Sequence, residues 1–444
     1  MKQIKTYEQY KDSGVEWIGK IPKDWKAKRI KDILKENITD GPHETPIFRD
    51  EGIPFLSVDS IEDGELTFEN CRYISKKDHE EFKLKCAPRK DDILMGKAAS
   101  TGKIARVKVD FEFSVWSPLA LIRPNLRKMS SIFLEYLLKS DSIQHNIQLL
   151  CNVNTQSNIA MQDIPRINIP IPSLQEQQKI ADYLDDKIKK IGLAISNKRK
   201  QMELLKEYEK VIVNEGVIRG LNKGVELKDS GIEWLGKIPK NWKVEKLKYI
   251  ADLKFSNVNK KSEVGEKEVS ACNYVDVYKN DYITNKLDFM KITASDEEIN
   301  KFSIQKGDIL ATKDSEEPED IAIPSFVLED FKDVVCGYHL AMIRPSDKFV
   351  PKYLFRLFQS RDFNIRFTIF AKGVTRFGLD MNIFKDAKVP MPPLPEQQKI
   401  ADYLDEKTSK IRKSIDIIEE EVEKLEEYKK ILINEAVTGK IKVF

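Results

Sequence analysis

The chain has 444 residues, of which 41% are hydrophobic and 33% charged, with a formal net charge of +3 at pH 7. Its length accommodates two or three domains with separate cores, and the near-balanced charge excludes a protein that wraps nucleic acid by overall charge alone. No apolar run approaches the roughly 20 residues that span a bilayer. The opening MKQIKTYEQYKDSG has no apolar signal core, and Cys71, Cys86, Cys151, Cys272 and Cys336 show no C-x-x-C spacing, so a cytoplasmic protein with free thiols is expected.

In chain order, the first feature is a tryptophan-bearing segment, KDSGVEWIGKIPKDWK at 11–26, which returns as KDSGIEWLGKIPKNWK at 228–243, 217 positions later. The decapeptide EQQKIADYLD behaves likewise, occurring at 176–185 and again at 396–405, 220 positions later. Two homologous halves with similar ends and dissimilar middles are implied. The divisions expected are a first globular domain with its N-terminal segment (1–172), a central helical region (173–219), a second globular domain (220–393) and a distal helical region (394–444).

The variable stretches, 27–172 and 244–392, read as mixed α/β domains rich in short strands. VWSPLALIRP (115–124) and VCGYHLAMIRP (335–345) are apolar runs between turn signals, and MSSIFLEYLLKS (129–140) and KFVPKYLFRLFQS (348–360) read as amphipathic helices. Each domain closes on a proline-punctuated strand, INIPIPSL or AKVPMPPL. Two basic clusters stand out. Lys97, Lys103, Arg106 and Lys108 have no acid among them, and the stretch from Lys352 to Arg376 carries Lys352, Arg356, Arg361, Arg366, Lys372 and Arg376 against Asp362 alone.

A long helix is predicted after each copy of the decapeptide. The first seam is Leu184, Ile188, Ile191, Ile195, Met202, Leu205 and Ile212, interrupted by Lys198. The second is Leu404, Thr408, Ile411, Ile415, Ile418, Val422, Leu425 and Leu432. Steps of four and three mark a coiled-coil seam. Ser173 with Glu176 reads as a capping box, Pro395 suits a first helical turn, and Gly220 and Gly439 suit the stops. About 45 residues at about 1.5 Å each give a rod of roughly 65–70 Å, and two such rods are expected to pack antiparallel as a spacer.

Catalytic chemistry is not expected of this chain. His43, His79, His145 and His339 are isolated in sequence, and no metal site is predicted. GKAASTGK at 96–103 lacks the hydroxyl after the final lysine that a phosphate loop requires. The prolines of MPPLPEQ read as a strand-to-helix turn, and DSEEPED at 314–320 reads as a solvated loop.

IPRINIPIPSLQEQQKIADYLDDKI and KDAKVPMPPLPEQQKIADYLDEKT resemble the entry to the helical regions of the specificity (S) subunits of type I restriction–modification systems. SGVEWIGKIPKDWK and SGIEWLGKIPKNWK resemble that family's segment before each target-recognition domain. ITDGPHETPIFRDEGIPFLSVDSI (38–61) and DDILMGKAASTGKIARV (91–107) are similar to motifs inside its first such domain. The second domain departs at KGDILATKDSEEPEDIAI (306–323), which keeps the strand but not the Ser/Thr-Gly-Lys loop. The resemblance implies two α/β (α+β) recognition domains joined by two long antiparallel coiled-coil helices in a pseudo-twofold architecture. It implies a non-catalytic reader of a bipartite, asymmetric site in double-stranded DNA, with the helices setting the spacer. Two modification (M) methyltransferase subunits carrying S-adenosylmethionine would dock on those helices, and restriction (R) subunits using ATP and Mg would join through them; this chain would bind no cofactor itself.

Hydroxyl and amide side chains beside cations suit phosphate positioning and base-edge reading. The expected DNA contacts are His43, Thr45, Lys97, Ser100, Thr101, Lys103, Thr155, Gln156 and Ser157 in the first domain, and Arg366, Lys372, Thr375 and Arg376 in the second. Three other readings stay open from the residues: an enzyme with its own active site, a coiled-coil scaffold joining two protein-binding domains, and the specificity component of a type II system with the same architecture.

Overall fold

The computed structural model describes residues 5–153, 157–261 and 263–444. The chain forms two compact units that cut across the sequence repeats: one is Met1–Lys198 with Glu420–Phe444, the other Arg199–Glu419. Each therefore takes one half of the central helix, Leu174–Arg219, and one half of the distal helix, Leu394–Val437.

In the first unit a four-stranded antiparallel sheet runs in the order Ile104–Arg106, Ile93–Gly96, Leu119–Ile122, Thr39–Asp40. A second sheet combines Ser114–Val115, Ile53–Leu56 and Arg72–Ile74. Leu56, Leu94, Ala105, Val115, Leu119 and Leu121 form the core between them. The middle strands, ILMG and LALI, are buried along their whole length, which explains their unbroken apolar character. The second unit repeats the plan with a five-stranded sheet, Ala251–Phe255, Leu340–Pro345, Ile309–Thr312, Pro324–Val327 and Tyr282–Ile283. Its three-stranded partner is Met290–Ala294, Lys267–Cys272 and Val334–Cys336. The predicted amphipathic helices are Ser131–Lys139 and Pro351–Gln359.

The proline-punctuated strands pair with the strands that open each domain: Asn168–Ile171 with Lys26–Arg29, and Lys388–Met391 with Lys243–Lys246. The decapeptide then makes the joint to the helix. Gln177 is fully buried; its Oε1 accepts the Ser130 N–H (2.8 Å), while its Nε2 donates to the carbonyls of Pro172 (3.0 Å) and Lys128 (3.2 Å). Gln397 repeats this with the Val350 N–H (2.8 Å) and the Pro392 carbonyl (2.9 Å). Ile180, Ala181 and Leu184, and their counterparts Ile400, Ala401 and Leu404, are buried beside them. The aspartate ending each copy binds the domain helix, Asp185 through the Tyr136 hydroxyl (2.7 Å) and Asp405 through Arg356 (2.8 Å). These ten residues recur because the same joint is built twice.

Only half of the predicted capping box forms. Ser173 Oγ accepts the Glu176 N–H (3.3 Å), but the Glu176 carboxylate accepts the Tyr7 hydroxyl (2.6 Å) instead of turning back on the cap. Both helices stop at a glycine with φ of +74°, Gly220 and Gly439. A Cβ at Gly220 would lie 3.1 Å from the Trp242 ring, and one at Gly439 would lie 2.5 Å from Pro22 and 3.1 Å from Trp25, so conformation and space both select glycine. The repeated tryptophan segments thus serve as the seats for the helix ends.

Within each unit the two helices run antiparallel. In the first, Lys179 lies over the Phe444 ring and Lys198 pairs with Glu421 at 2.6 Å. In the second, Glu209 pairs with Arg412 at 2.8 Å and Gly216 faces Leu404. Leu184, Ile191, Ile195, Leu404, Thr408, Ile411, Ile415, Ile418, Val422 and Leu432 are buried, whereas Ile188, Met202, Leu205, Ile212 and Leu425 are half-buried.

Candidate nucleic-acid interface

Strand Ile93–Gly96 delivers Lys97 to a tight loop. The Gly96 N–H donates to the Lys103 carbonyl (2.8 Å) and the Gly102 N–H to the Gly96 carbonyl (2.9 Å). A second segment lies against it: the Ile159 N–H donates to the Lys97 carbonyl (2.9 Å) and Thr101 Oγ1 donates to the Ser157 carbonyl (2.7 Å). Lys97, Ser100, Thr101, Lys103 and Ser157 therefore share one edge; Thr155 and Gln156 lie outside the described residues. Gln144 and Gln148 brace the loop from below through the carbonyls of Gly102 and Thr101.

Asp40 is the anchor of this edge. Its buried carboxylate accepts Lys85 (2.6 Å) and lies 3.2 Å from Lys97 and 3.4 Å from His43 Nε2. Burial alone would raise the Asp40 pKa; the hydrogen bonds from Lys85 and Lys97 outweigh it and hold the group below the usual carboxylate range. His43 and Thr45 project into solvent from the segment after Asp40.

The second unit builds an equivalent edge from other side chains. Strand Ile309–Thr312 delivers Lys313, whose carbonyl accepts the Leu379 N–H (3.1 Å), the counterpart of the Lys97–Ile159 bond. Asp314–Ser315 pairs with Phe377–Gly378. Here Asp314 is the anchor, 2.7 Å from both His339 Nδ1 and Arg376. The Lys313 ammonium donates to the Ser256 carbonyl (2.7 Å) and sits 4.4 Å from the Tyr338 ring centre, and its burial lowers its pKa. Tyr274 and Tyr278 stack beside the anchor, and the Tyr274 hydroxyl is 2.9 Å from Ser315 Oγ. Lys372 and Thr375 are exposed on the hairpin that carries Arg376.

Several expectations require correction. DSEEPED is not simply a solvated loop, because Asp314 is largely buried and ion-paired. The Arg366 guanidinium lies over Phe367, desolvation lowers its pKa, and the acid acting on it is Asp386, which pairs with Lys246 and Lys248. The basic runs also lose their apparent freedom in three dimensions. Arg106 pairs with Asp91 and Glu135, Lys108 with Glu65, and Lys352 and Arg356 with Asp405. Sequence reasoning missed Asp40, Lys85, Lys313 and His339. The Lys97–Lys313 equivalence was available from the paired runs ILMGK and ILATK; Asp314 follows Lys313 directly, whereas Asp40 comes from a distant strand.

His79 is not isolated either. Its Nδ1 is 2.8 Å from Ser114 Oγ and its Nε2 3.5 Å from Glu112, a serine–histidine–carboxylate row. Ser114 is 1% and His79 3% exposed, so the hydroxyl is closed to substrate. Glu80 joins them as a potential ligand group, and the Lys83 ammonium lies between the two carboxylates, 2.7 Å from Glu112 and 3.6 Å from Glu80.

The sequence model of the family described as type I restriction modification DNA specificity domain matches residues 22–204 and 239–427. The chain is 26% identical over 435 residues to the type I restriction enzyme MjaVIII specificity subunit of Methanocaldococcus jannaschii, across 96% of this chain and 94% of that subunit. A chain from a structure of type I R-M system complex assembly superposes with a TM-score of 0.70 at 14% identity, covering 94% of this chain and 98% of that one. The HsdS subunit of Thermoanaerobacter tengcongensis superposes with a TM-score of 0.55 at 14% identity, covering 95% and 98%. With the family domain matched once in each half, this chain belongs to the type I restriction modification DNA specificity family.

Proposed function

We propose that this chain is the DNA-reading specificity subunit of a cytoplasmic type I restriction–modification complex. Each unit reads one half of a bipartite, asymmetric site in double-stranded DNA. The Asp40 edge presents His43, Thr45, Ser100, Thr101, Lys103 and Ser157 to one half-site. The Asp314 edge presents Lys372, Thr375 and Arg376, with His339 and Lys313 behind them, to the other. The anchoring carboxylates hold cations in fixed poses before DNA arrives, reducing the side-chain entropy lost on binding. The paired helices set the spacer and dock two modification subunits. Methyl transfer from S-adenosylmethionine belongs to those subunits, and ATP- and Mg-dependent cleavage to the restriction subunits that join them. This chain contributes position and selection.

The observation that carries this reading is the repeated edge: a strand-end lysine and facing hairpin built twice, with different side chains around them, within a family domain matched in both halves. Methylation-aware sequencing of a host expressing the chain with its modification partner should show one two-part motif. Lys103→Glu and Arg376→Glu should each weaken DNA binding and make its salt dependence shallower by about 0.9 in log–log slope per lost phosphate contact. Unchanged affinity and slope in both variants would refute the assignment of these edges.

A further inference from the structure

A second cationic surface lies at the base of the first unit, at the opposite end of strand Ile93–Gly96 from Lys97. Two grooves of about 430 and 770 Å³ open there, the first lined by Lys35, Arg89 and Arg127 and the second by Lys28, Lys31 and Lys128. The grooves adjoin through the backbone: the Lys35 N–H donates to the Arg123 carbonyl and the Asn125 N–H to the Ile33 carbonyl. Lys28, Lys31, Lys35, Arg89, Arg127 and Lys128 are all exposed, and none forms an ion pair among the described residues. Most nearby acids are occupied, since Glu36 and Asp92 hold Arg123 and Asp91 holds Arg106; the Asp32 carboxylate, in the second groove, accepts only the Arg29 N–H among the described residues.

The second unit supplies an internal control, because the backbone there follows the same path, one residue shorter only in the turn before the domain helix. The base strands fix Arg29 against Asn168 and Lys246 against Lys388. Asp92 caps the Arg89 N–H and Asp308 caps the Gln305 N–H, each aspartate also holding an arginine, Arg123 or Arg344. On this matched frame the charges diverge. Lys28 corresponds to Glu245, Lys35 to Asp252, Arg89 to Gln305 and, counted back from the domain helix, Arg127 to Asp347. Arg166 corresponds to Asp386, the residue that neutralises Lys246 and Lys248. Lys31 and Lys128 keep cationic counterparts, Lys248 and Lys348, as a shared scaffold would; the other four positive charges appear in the first unit alone.

We infer that the base of the first unit is a phosphate-binding surface for duplex DNA, separate from the base-reading edge and absent from the second unit. The ligand chemistry follows from the surface: it offers ammonium and guanidinium groups with only Leu126 as an exposed large apolar neighbour. A protein partner would meet an apolar centre ringed by charge; a phosphate backbone needs cations alone. The inference rests on the DNA-binding reading above and adds that the two units grip DNA unequally, the first holding backbone that neither unit reads.

The test exchanges charges between matched positions in the full chain, assembled with its modification partner. The probe is a random-sequence 60-base-pair duplex, with binding followed across salt concentrations. Lys28→Glu, Lys35→Asp and Arg127→Asp together should make the log–log salt slope shallower by about 2.7, at roughly 0.9 per phosphate contact, and leave the methylated motif unchanged in a host. The mirror variant, Glu245→Lys, Asp252→Lys and Asp347→Arg, should steepen the slope, and it decides the matter if the first variant misfolds. An unchanged slope in both overturns the inference. Loss of partner assembly with an unchanged slope also overturns it and identifies an acidic protein surface as the ligand. If the unaltered assembly binds no duplex at all, the DNA-reading function itself fails.

Discussion

A heptad inserted in both long helices should lengthen the unspecified spacer by about three base pairs and leave both half-sites unchanged. The insertions fall between Asn197 and Lys198 in the central helix and between Glu421 and Val422 in the distal helix. Because the helices are antiparallel within each unit, this keeps Lys198 opposite Glu421 and Glu209 opposite Arg412. Seven residues add about 10.5 Å and turn the rod by about 700°, which is within about 20° of two full turns. At about 3.4 Å per base pair the gain is close to three pairs, with nearly the original facing of the readers. The assay is methylation-aware sequencing of a host carrying the variant with its partner. A heptad placed in the central helix alone should abolish methylation, since it displaces one helix by two turns against an unchanged neighbour. A spacer that stays fixed in a methylating matched variant, or altered bases in either half-site, would refute the ruler.

Gln177→Met should destabilise the first unit, because the buried Ser130 N–H loses its acceptor at a cost of about 1–3 kcal/mol. Gln397→Met, which breaks two hydrogen bonds where Gln177→Met breaks three, should cost less by about 0.5–1.5 kcal/mol, and urea midpoints with amide exchange at Ser130 would check both. Replacing Ile191 and Ile195 by Asp places two carboxylates at buried positions, so complex formation measured by gel filtration should be lost, at several kcal/mol. The His339 pKa is lowered chiefly by burial, which, helped by Arg376 and Lys313, outweighs the attraction of Asp314. The unfolded chain therefore takes up this proton first as pH falls below about 6.5. Urea stability should thus drop more between pH 7.5 and 5 in the native chain than in His339→Gln.

The sequence carried the architecture because repetition and periodicity are local and survive translation into structure. Identical decapeptides announced a joint, and steps of three and four announced the seam. The loops were legible as places rather than as chemistry. Lys97 and Lys313 end apolar strands, a pattern visible in one dimension. Asp40 reaches Lys97 and Lys85 from a separate strand, and Asp314, although next to Lys313, finds its partners His339 and Arg376 far along the chain. Lys352 and Arg356 looked free for the same reason: their acid, Asp405, is 53 and 49 positions away. Arg366 was chosen for its neighbours in sequence, whereas in the fold its guanidinium lies over Phe367 and the acid acting on it is Asp386.

The division of the two units has a consequence for the order of folding during synthesis. The second unit is one continuous stretch, Arg199–Glu419. The first is interrupted: the Ser142 N–H donates to Asn434 Oδ1, Lys442 pairs with Lys5, and Gly439 lies against Trp25. Chains emerge from the ribosome N-terminus first, and loop closure across long separations is entropically costly. The domain made first must therefore wait, with one flank of its half of the central helix uncovered, until more than two hundred further residues have emerged and the later-made unit can already close. Truncation anywhere in the distal helix after Glu419 should consequently harm the first reader and spare the second, which ties the oldest part of the nascent chain to the newest.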